Sequence, residues 1–215
     1  MRTVTDSVFL VRHGEVWNPG HVVYADLPGF PLSATGRRQA SAVADRLPHD
    51  ATVVSSPLDR AVETAQIIAS HTGGRVVIDD ALTEWALGSR WAGRVWEQLE
   101  ASFPGELTAY LEHPEHLPFS PEPLSDLATR VGGAVRMCRD ELEGPLVFVS
   151  HQDPIQAARL FLTGRPLAEL NRDKPMHAEA IELSVSTTEP WIERGSWAPD
   201  QERVVRPLPP TPCPY

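Results

Sequence analysis

Two histidines, two arginines and a carboxylate carry the chemistry that this sequence can perform. Val8-Phe9-Leu10-Val11 runs directly into Arg12-His13-Gly14-Glu15, and Leu146-Val147-Phe148-Val149-Ser150 runs into His151-Gln152-Asp153-Pro154. A third β-branched run, Ala51 to Ser55, ends in Ser56-Pro57 with Arg60 just beyond. Each run has the length and composition of a short buried strand and stops at polar residues. If the three are parallel, their carboxyl ends share one sheet edge, where open α/β sheets bind ligands. That edge would collect His13, His151, Arg12 and Arg60 beside helix N-termini, which present free N–H groups and partial positive charge. Two guanidinium groups offer paired donors to a tetrahedral oxyanion. The set suits a phosphoryl group. No metal is expected, because the arginines would repel a cation and no carboxylates cluster as a hard-cation site needs.

Two histidines in such a pocket have distinct jobs open to them. One could attack phosphorus through a neutral ring nitrogen, since nearby arginines lower its pKa. The other could hold the phosphoryl oxygens in the in-line transition state. An alkoxide leaving group also needs a proton donor. Glu84, in a segment after the third strand, is the best-placed carboxyl.

The elements that must position these groups follow in order. Pro- and Gly-rich residues from Val16 to Pro31 mark a long ordered loop. Ser33 reads as the cap of a helix over Gly36 to Leu47. Ser56-Pro57 reads as cap and first helical position of a helix from Leu58 to Ser70. Arg75 to Ile78 is a further strand, Leu82 to Gly88 a loop, and Ser89 to about Tyr110 a rough helix broken at Pro104-Gly105. Trp91 and Trp96 there read as helix core. His113 to Pro123 is a loop or lid, and Leu124 to Leu142 a long amphipathic helix. Asp153-Pro154 repeats the cap-and-proline signature before a helix to Leu162. Ala180 to Val185 alternates like a strand near an edge. His21, His113, His116 and His177 are expected at the surface, and Arg90, Arg94, Arg172 and Lys174 as solvated charges.

Strands alternating with helices imply an α/β fold with a mainly parallel sheet covered on both faces. The expected organisation is one catalytic domain over residues 1–198 with a cap-like insertion at about 88–123, followed by a Pro-rich tail at 199–215. A chain of 215 residues, 41% hydrophobic and 22% charged, is of ordinary globular composition. A formal net charge of −10 argues against nucleic acid or an anionic membrane as partner, yet leaves room for a small anion in a local cationic pocket. Two cysteines make no disulfide framework, and Cys138 reads as a buried thiol. Arg2 and Asp6 flank no apolar core of signal-peptide type, so a cytoplasmic location is expected.

These residues resemble those of the histidine phosphatase superfamily, in its phosphoglycerate-mutase-like branch. The resemblance rests on five blocks in order over residues 7–160. They are Leu10 to Glu15; Pro31-Leu32-Ser33 with Gly36, Gln39 and Ala40; Ser55 to Ala61 with Glu63-Thr64-Ala65; Leu82-x-Glu84 with Leu87-Gly88 and Trp91-x-Gly93; and Leu124 to Val131 with Val149-Ser150-His151. The resemblance implies a three-layer α/β/α sandwich around a six-stranded, mostly parallel sheet. It implies His13 as nucleophile, Arg12, Arg60 and His151 as phosphoryl ligands, Glu84 as general acid and then base, and Asn18 as an aid at the phosphate. No cofactor is implied. The chain departs from the pattern at Val16, where Ser or Thr is usual, and at Asn18, one position early. It also has an extra residue between Gly88 and Trp91. Gln152 stands where glycine is frequent, and could reach a leaving group or narrow the pocket.

The expected activity is therefore metal-independent hydrolysis of a small phosphorylated metabolite through a phosphohistidine. A mutase would share every catalytic residue, but the Glu-Arg-His-Tyr-Gly segment of glycolytic-type mutases is missing after Glu84. A non-catalytic phospho-ligand binder would need neither His13 nor Glu84. A homodimer is compatible with the sequence.

Overall fold

A computed structural model of the protein describes residues 7–186 and 190–199. Apart from Pro199, the Pro-rich tail expected from the sequence lies outside the described residues, as does Cys213.

Six strands form one sheet. They are β1 (Ser7–Arg12), β2 (Thr52–Ser55), β3 (Arg75–Ile78), β4 (Leu146–Ser150), β5 (Ala180–Ser184) and β6 (Ile192–Trp197), in the spatial order β3-β2-β4-β1-β5-β6. β1 to β4 are mutually parallel, whereas β5 runs antiparallel to β1 and β6 antiparallel to β5. β4, apolar from Leu146 to Val149, takes the centre beside β1, as its composition requires of a strand covered on both faces.

Alternation along the strands sorts the two faces. Val11, Val53, Val147 and Val149 pack against α1 (Ala34–Ala44) and α2 (Asp59–Thr72). Val8, Leu10, Val54 and Phe148 pack on the other side against α6 (Leu124–Glu141) and α7 (Gln152–Leu162). The result is the three-layer α/β/α sandwich with a mostly parallel six-stranded sheet. Between β3 and α6 the chain makes three short helices, α3 (Ala86–Trp91), α4 (Leu99–Ser102) and α5 (Glu106–Glu112). Their Leu87, Trp91, Leu99 and Tyr110 join the core on the α6 side. Among the described residues no helix is long and apolar enough to cross a membrane.

Several local expectations change. The rough helix from Ser89 to Tyr110 is broken into pieces, because Gly93 adopts a left-handed φ of 76° and Pro104-Gly105 interrupts the next turn. The segment Leu82 to Gly88, expected as loop, already enters α3 at Ala86. α2 starts at Asp59 with no side-chain cap, because the Ser56 hydroxyl is turned to His151 instead. α7 starts at Gln152 with His151 in the cap position, because the Asp153 carboxylate is held by Tyr110 and Lys174. Cys138 is half-buried rather than buried.

The end of β1 is fastened to the start of α1. Ser33 caps α1 by accepting from the Gly36 N–H, and its hydroxyl donates to Glu15 Oε1 at 2.6 Å. Gln39 Oε1 accepts from the Glu15 N–H. The two backbones touch at Gly14 and Gly36: a Cβ on Gly14 would lie 2.5 Å from the Gly36 carbonyl oxygen. Gly14→Ala should therefore cost about 1–3 kcal/mol of stability, as overpacking against unyielding backbone does. A urea titration would read it, and an unchanged midpoint would mean that the junction yields.

Candidate active site

The carboxyl ends of β1, β2 and β4 deliver their polar residues to one point. The His13 N–H donates to the Ser150 carbonyl and the Ser56 N–H to the Val149 carbonyl, so the strand ends stay in register past their last ladder pairs. His13 is buried, and its Nδ1 lies 2.7 Å from the Gly14 carbonyl. A carbonyl only accepts, so Nδ1 carries the proton and Nε2 keeps its lone pair. Arg60 Nε points at that lone pair from 3.3 Å. Burial holds His13 well below the usual histidine range, with His151, Arg60 and Arg12 adding to the effect. The ring is therefore neutral at physiological pH.

Arg60 is fully buried. It donates to the Ala25 carbonyl at 2.6 Å and lies over the Tyr24 ring at 4.7 Å. Arg12 donates to the Pro175 carbonyl, and its other terminal nitrogen meets His177 Nε2 at 3.0 Å. His177, expected at the surface, is thus tucked against the site. Burial pushes its pKa down to about 4, helped by Arg12, so it can accept from the guanidinium. His151 is buried with its ring centroid 5.2 Å from that of His13. Its Nε2 is held by Ser56 Oγ at 2.8 Å, while its Nδ1 has no hydrogen-bond partner.

Glu84 lies 3.8 Å from His151 Nδ1 and 4.0 Å from Arg60, and accepts from the Trp85 N–H. Burial raises its pKa to about 7. The Asp153 carboxylate adds to this, and Arg60 opposes it. Arg130 positions the Glu84 segment by donating to the Ala81 and Thr83 carbonyls while forming a two-pronged pair with Glu122. Glu122 in turn accepts from the Ala86 N–H.

Arg12, His13 and Glu84 open onto a cavity of about 260 Å³. The structure thus brings Arg12, His13, Arg60, Glu84 and His151 together, with Gln152 on the cavity wall donating to the Pro175 carbonyl. It does not bring Asn18. That side chain closes its own loop, donating to the Val22 carbonyl and accepting from the Val22 N–H, and it does not line the cavity. Trp96, expected in the core, is 43% exposed and forms part of the cavity wall. Lys174 is tied to Asp153 and Tyr110 rather than solvated. Sequence reasoning missed Ser56, Tyr24, Tyr110 and His177. The serine carried a signal, but a helix cap and a histidine holder look alike in one dimension. Among the described residues no group of three or more His, Cys, Asp or Glu side chains is placed to hold a metal ion.

Comparison with known proteins places this geometry in context. The family model described as histidine phosphatase superfamily (branch 1) matches residues 8–197. An uncharacterized protein of Mycobacterium tuberculosis (strain CDC 1551 / Oshkosh) is 42% identical over 178 residues, covering 75% of this chain and 80% of that one. Glucosyl-3-phosphoglycerate phosphatase of the same organism is 33% identical over 176 residues, covering 74% and 76%. Among solved structures, mycobacterial glucosyl-3-phosphoglycerate phosphatase complexed with VO3 superposes with a TM-score of 0.76 at 29% identity, covering 88% of this chain and 97% of that one.

Proposed function

The chain belongs to the histidine phosphatase superfamily, branch 1, and from that premise we propose that it is a metal-independent phosphatase that cleaves a small phosphomonoester through a phosphohistidine on His13. One observation carries the reading. A neutral histidine, with its proton fixed on Nδ1, holds its Nε2 lone pair among cationic and unpartnered donors. Arg12 Nε and His151 Nδ1 are buried polar atoms without a partner in the protein, and phosphoryl oxygens would satisfy both. Arg12 and Arg60 supply positive charge to the transferring group.

In the first step Nε2 of His13 attacks phosphorus in line. The ester P–O bond breaks, and protonated Glu84 gives its proton to the departing oxygen. In the second step Glu84, now a carboxylate, takes a proton from the incoming water as its oxygen attacks phosphorus. The P–N bond breaks, inorganic phosphate leaves, and His13 and protonated Glu84 are restored. His151, oriented by Ser56, donates from Nδ1 to the equatorial oxygens in both steps. The glucosyl-3-phosphoglycerate phosphatase relatives are in keeping with a small phosphorylated metabolite as substrate.

The reading is tested with p-nitrophenyl phosphate at mildly acidic pH in excess chelator. Phosphate should be released, and an alkaline quench should trap a phosphoprotein, because phosphohistidine survives base. Absence of turnover there and across a phosphometabolite panel would instead identify a phospho-ligand binder. Phosphate moving between carbons with none released would identify a mutase.

A further inference from the structure

We propose that the alcohol portion of the substrate is uncharged and presents an apolar, ring-sized face, and that phosphoesters carrying a carboxylate near the phosphate are rejected. This rests on the phosphatase reading and concerns the part of the cavity beyond the phosphoryl group. At about 260 Å³ the cavity encloses a phosphoryl group and about one ring of the alcohol attached to it, below the roughly 300–1,000 Å³ of drug-sized sites.

Its charge inventory decides the class. Among the described residues lining it, Arg12 is the only arginine or lysine; of the two carboxyl groups there, Glu84 is the protonated acid of the first step and Asp153 is paired with Lys174. Arg12 belongs to the phosphoryl end and is already engaged by the Pro175 carbonyl and His177. Lys174 reaches Asp153, but its ammonium is held between that carboxylate and the Tyr110 hydroxyl. No lining cation is left to receive a second anionic group. A substrate carboxylate would give up its water without gaining a counter-charge, because the Lys174–Asp153 pair is already satisfied within itself.

The remaining wall is built for apolar contact. Val22, Val23, Leu87, Trp91, Trp96 and Tyr110 surround the space. Trp91 meets Tyr110 edge-on, with ring centroids 5.6 Å apart at 88°. Trp96 stands half-exposed, its backbone fixed by its main-chain N–H to the His21 carbonyl and by the pairing of Val22 with Val95. Aromatic walls of this kind reward a ring or an aliphatic face rather than a charge.

The test uses two matched pairs of esters on the whole chain. 3-Carbamoylphenyl phosphate and 3-carboxyphenyl phosphate differ in charge at nearly constant shape. Glycerol 3-phosphate and 3-phosphoglycerate form the aliphatic counterpart. In each pair the uncharged ester should have the higher kcat/KM by at least about tenfold. Trp96→Arg, which places a cation at the rim, should narrow that ratio through the KM of the carboxylated ester. Trp96→Ala should raise the KM of phenyl phosphate more than that of ethyl phosphate. Equal or better use of the carboxylated esters would overturn the inference while leaving the phosphatase intact. No turnover of any ester, with no trapped phosphoprotein, would overturn the phosphatase reading and this inference with it.

Discussion

Replacing His13 by alanine is expected to abolish phosphate release from p-nitrophenyl phosphate, with a loss of at least about 10⁴-fold, as removal of a nucleophile does elsewhere. No neighbour can substitute. Both neighbouring imidazoles are engaged: His151 Nε2 is bound to Ser56, and His177 Nε2 meets the Arg12 guanidinium. The alanine variant also leaves Arg60 Nε without the acceptor it has in His13. His13→Gln therefore makes the better control, since its amide oxygen can accept from Arg60 while offering no nucleophilic nitrogen. Both variants should give no phosphoprotein on alkaline quench. Turnover persisting in His13→Gln would sink the mechanism.

Glu84→Gln should separate the two chemical steps. The amide cannot protonate a leaving oxygen, so esters of poor leaving alcohols should lose about 10²–10⁴-fold, the usual worth of general acid catalysis. p-Nitrophenolate needs no proton to depart, so its first step should survive as a burst. Slow turnover should follow, because no carboxylate remains to activate water. The pH dependence has a definite sign. With a pKa of about 7, Glu84 is the protonated acid below neutrality and loses that form as pH rises. Rates on poor leaving groups should accordingly fall above about pH 7 in the parent, and that limb should vanish in Glu84→Gln. A limb that stays in place would belong to another group.

The sequence was most informative where one residue type had one plausible use. The apolar runs Val8–Val11 and Leu146–Ser150 are too short for helices, and their polar ends mark the ligand edge. Ser33 could be read as a cap because the start of α1 satisfies it locally. Ser56 and Asp153 carry the same local signature but serve distant partners, His151 and the Tyr110–Lys174 pair. Local pattern cannot separate these cases, since capping and long-range hydrogen bonding draw on the same short polar side chains. β6 escaped notice because Ile192-Glu193-Arg194-Gly195-Ser196-Trp197 lacks an apolar alternation. It lies at the sheet edge, its pairing with β5 shifts register at Glu182/Leu183, and Gly195 has a φ of 152°. His177 and Trp96 were misplaced because a side chain's exposure depends on which remote loop covers it. Asn18 took its expected role from the family resemblance alone, and its loop geometry gives it another.

Arg12 is anchored by residues that the ribosome adds long after it. Its guanidinium is held by the Pro175 carbonyl and by His177, its own N–H donates to the Glu179 carbonyl, and Ala178 donates to the His13 carbonyl. The four parallel strands are complete by Ser150, so a growing chain can assemble most of the sheet while these attachments are still unmade. Under the proposed mechanism, catalytic competence would then be acquired late in synthesis. An immature chain with its four parallel strands already formed would still lack the contacts that hold the Arg12 guanidinium in place.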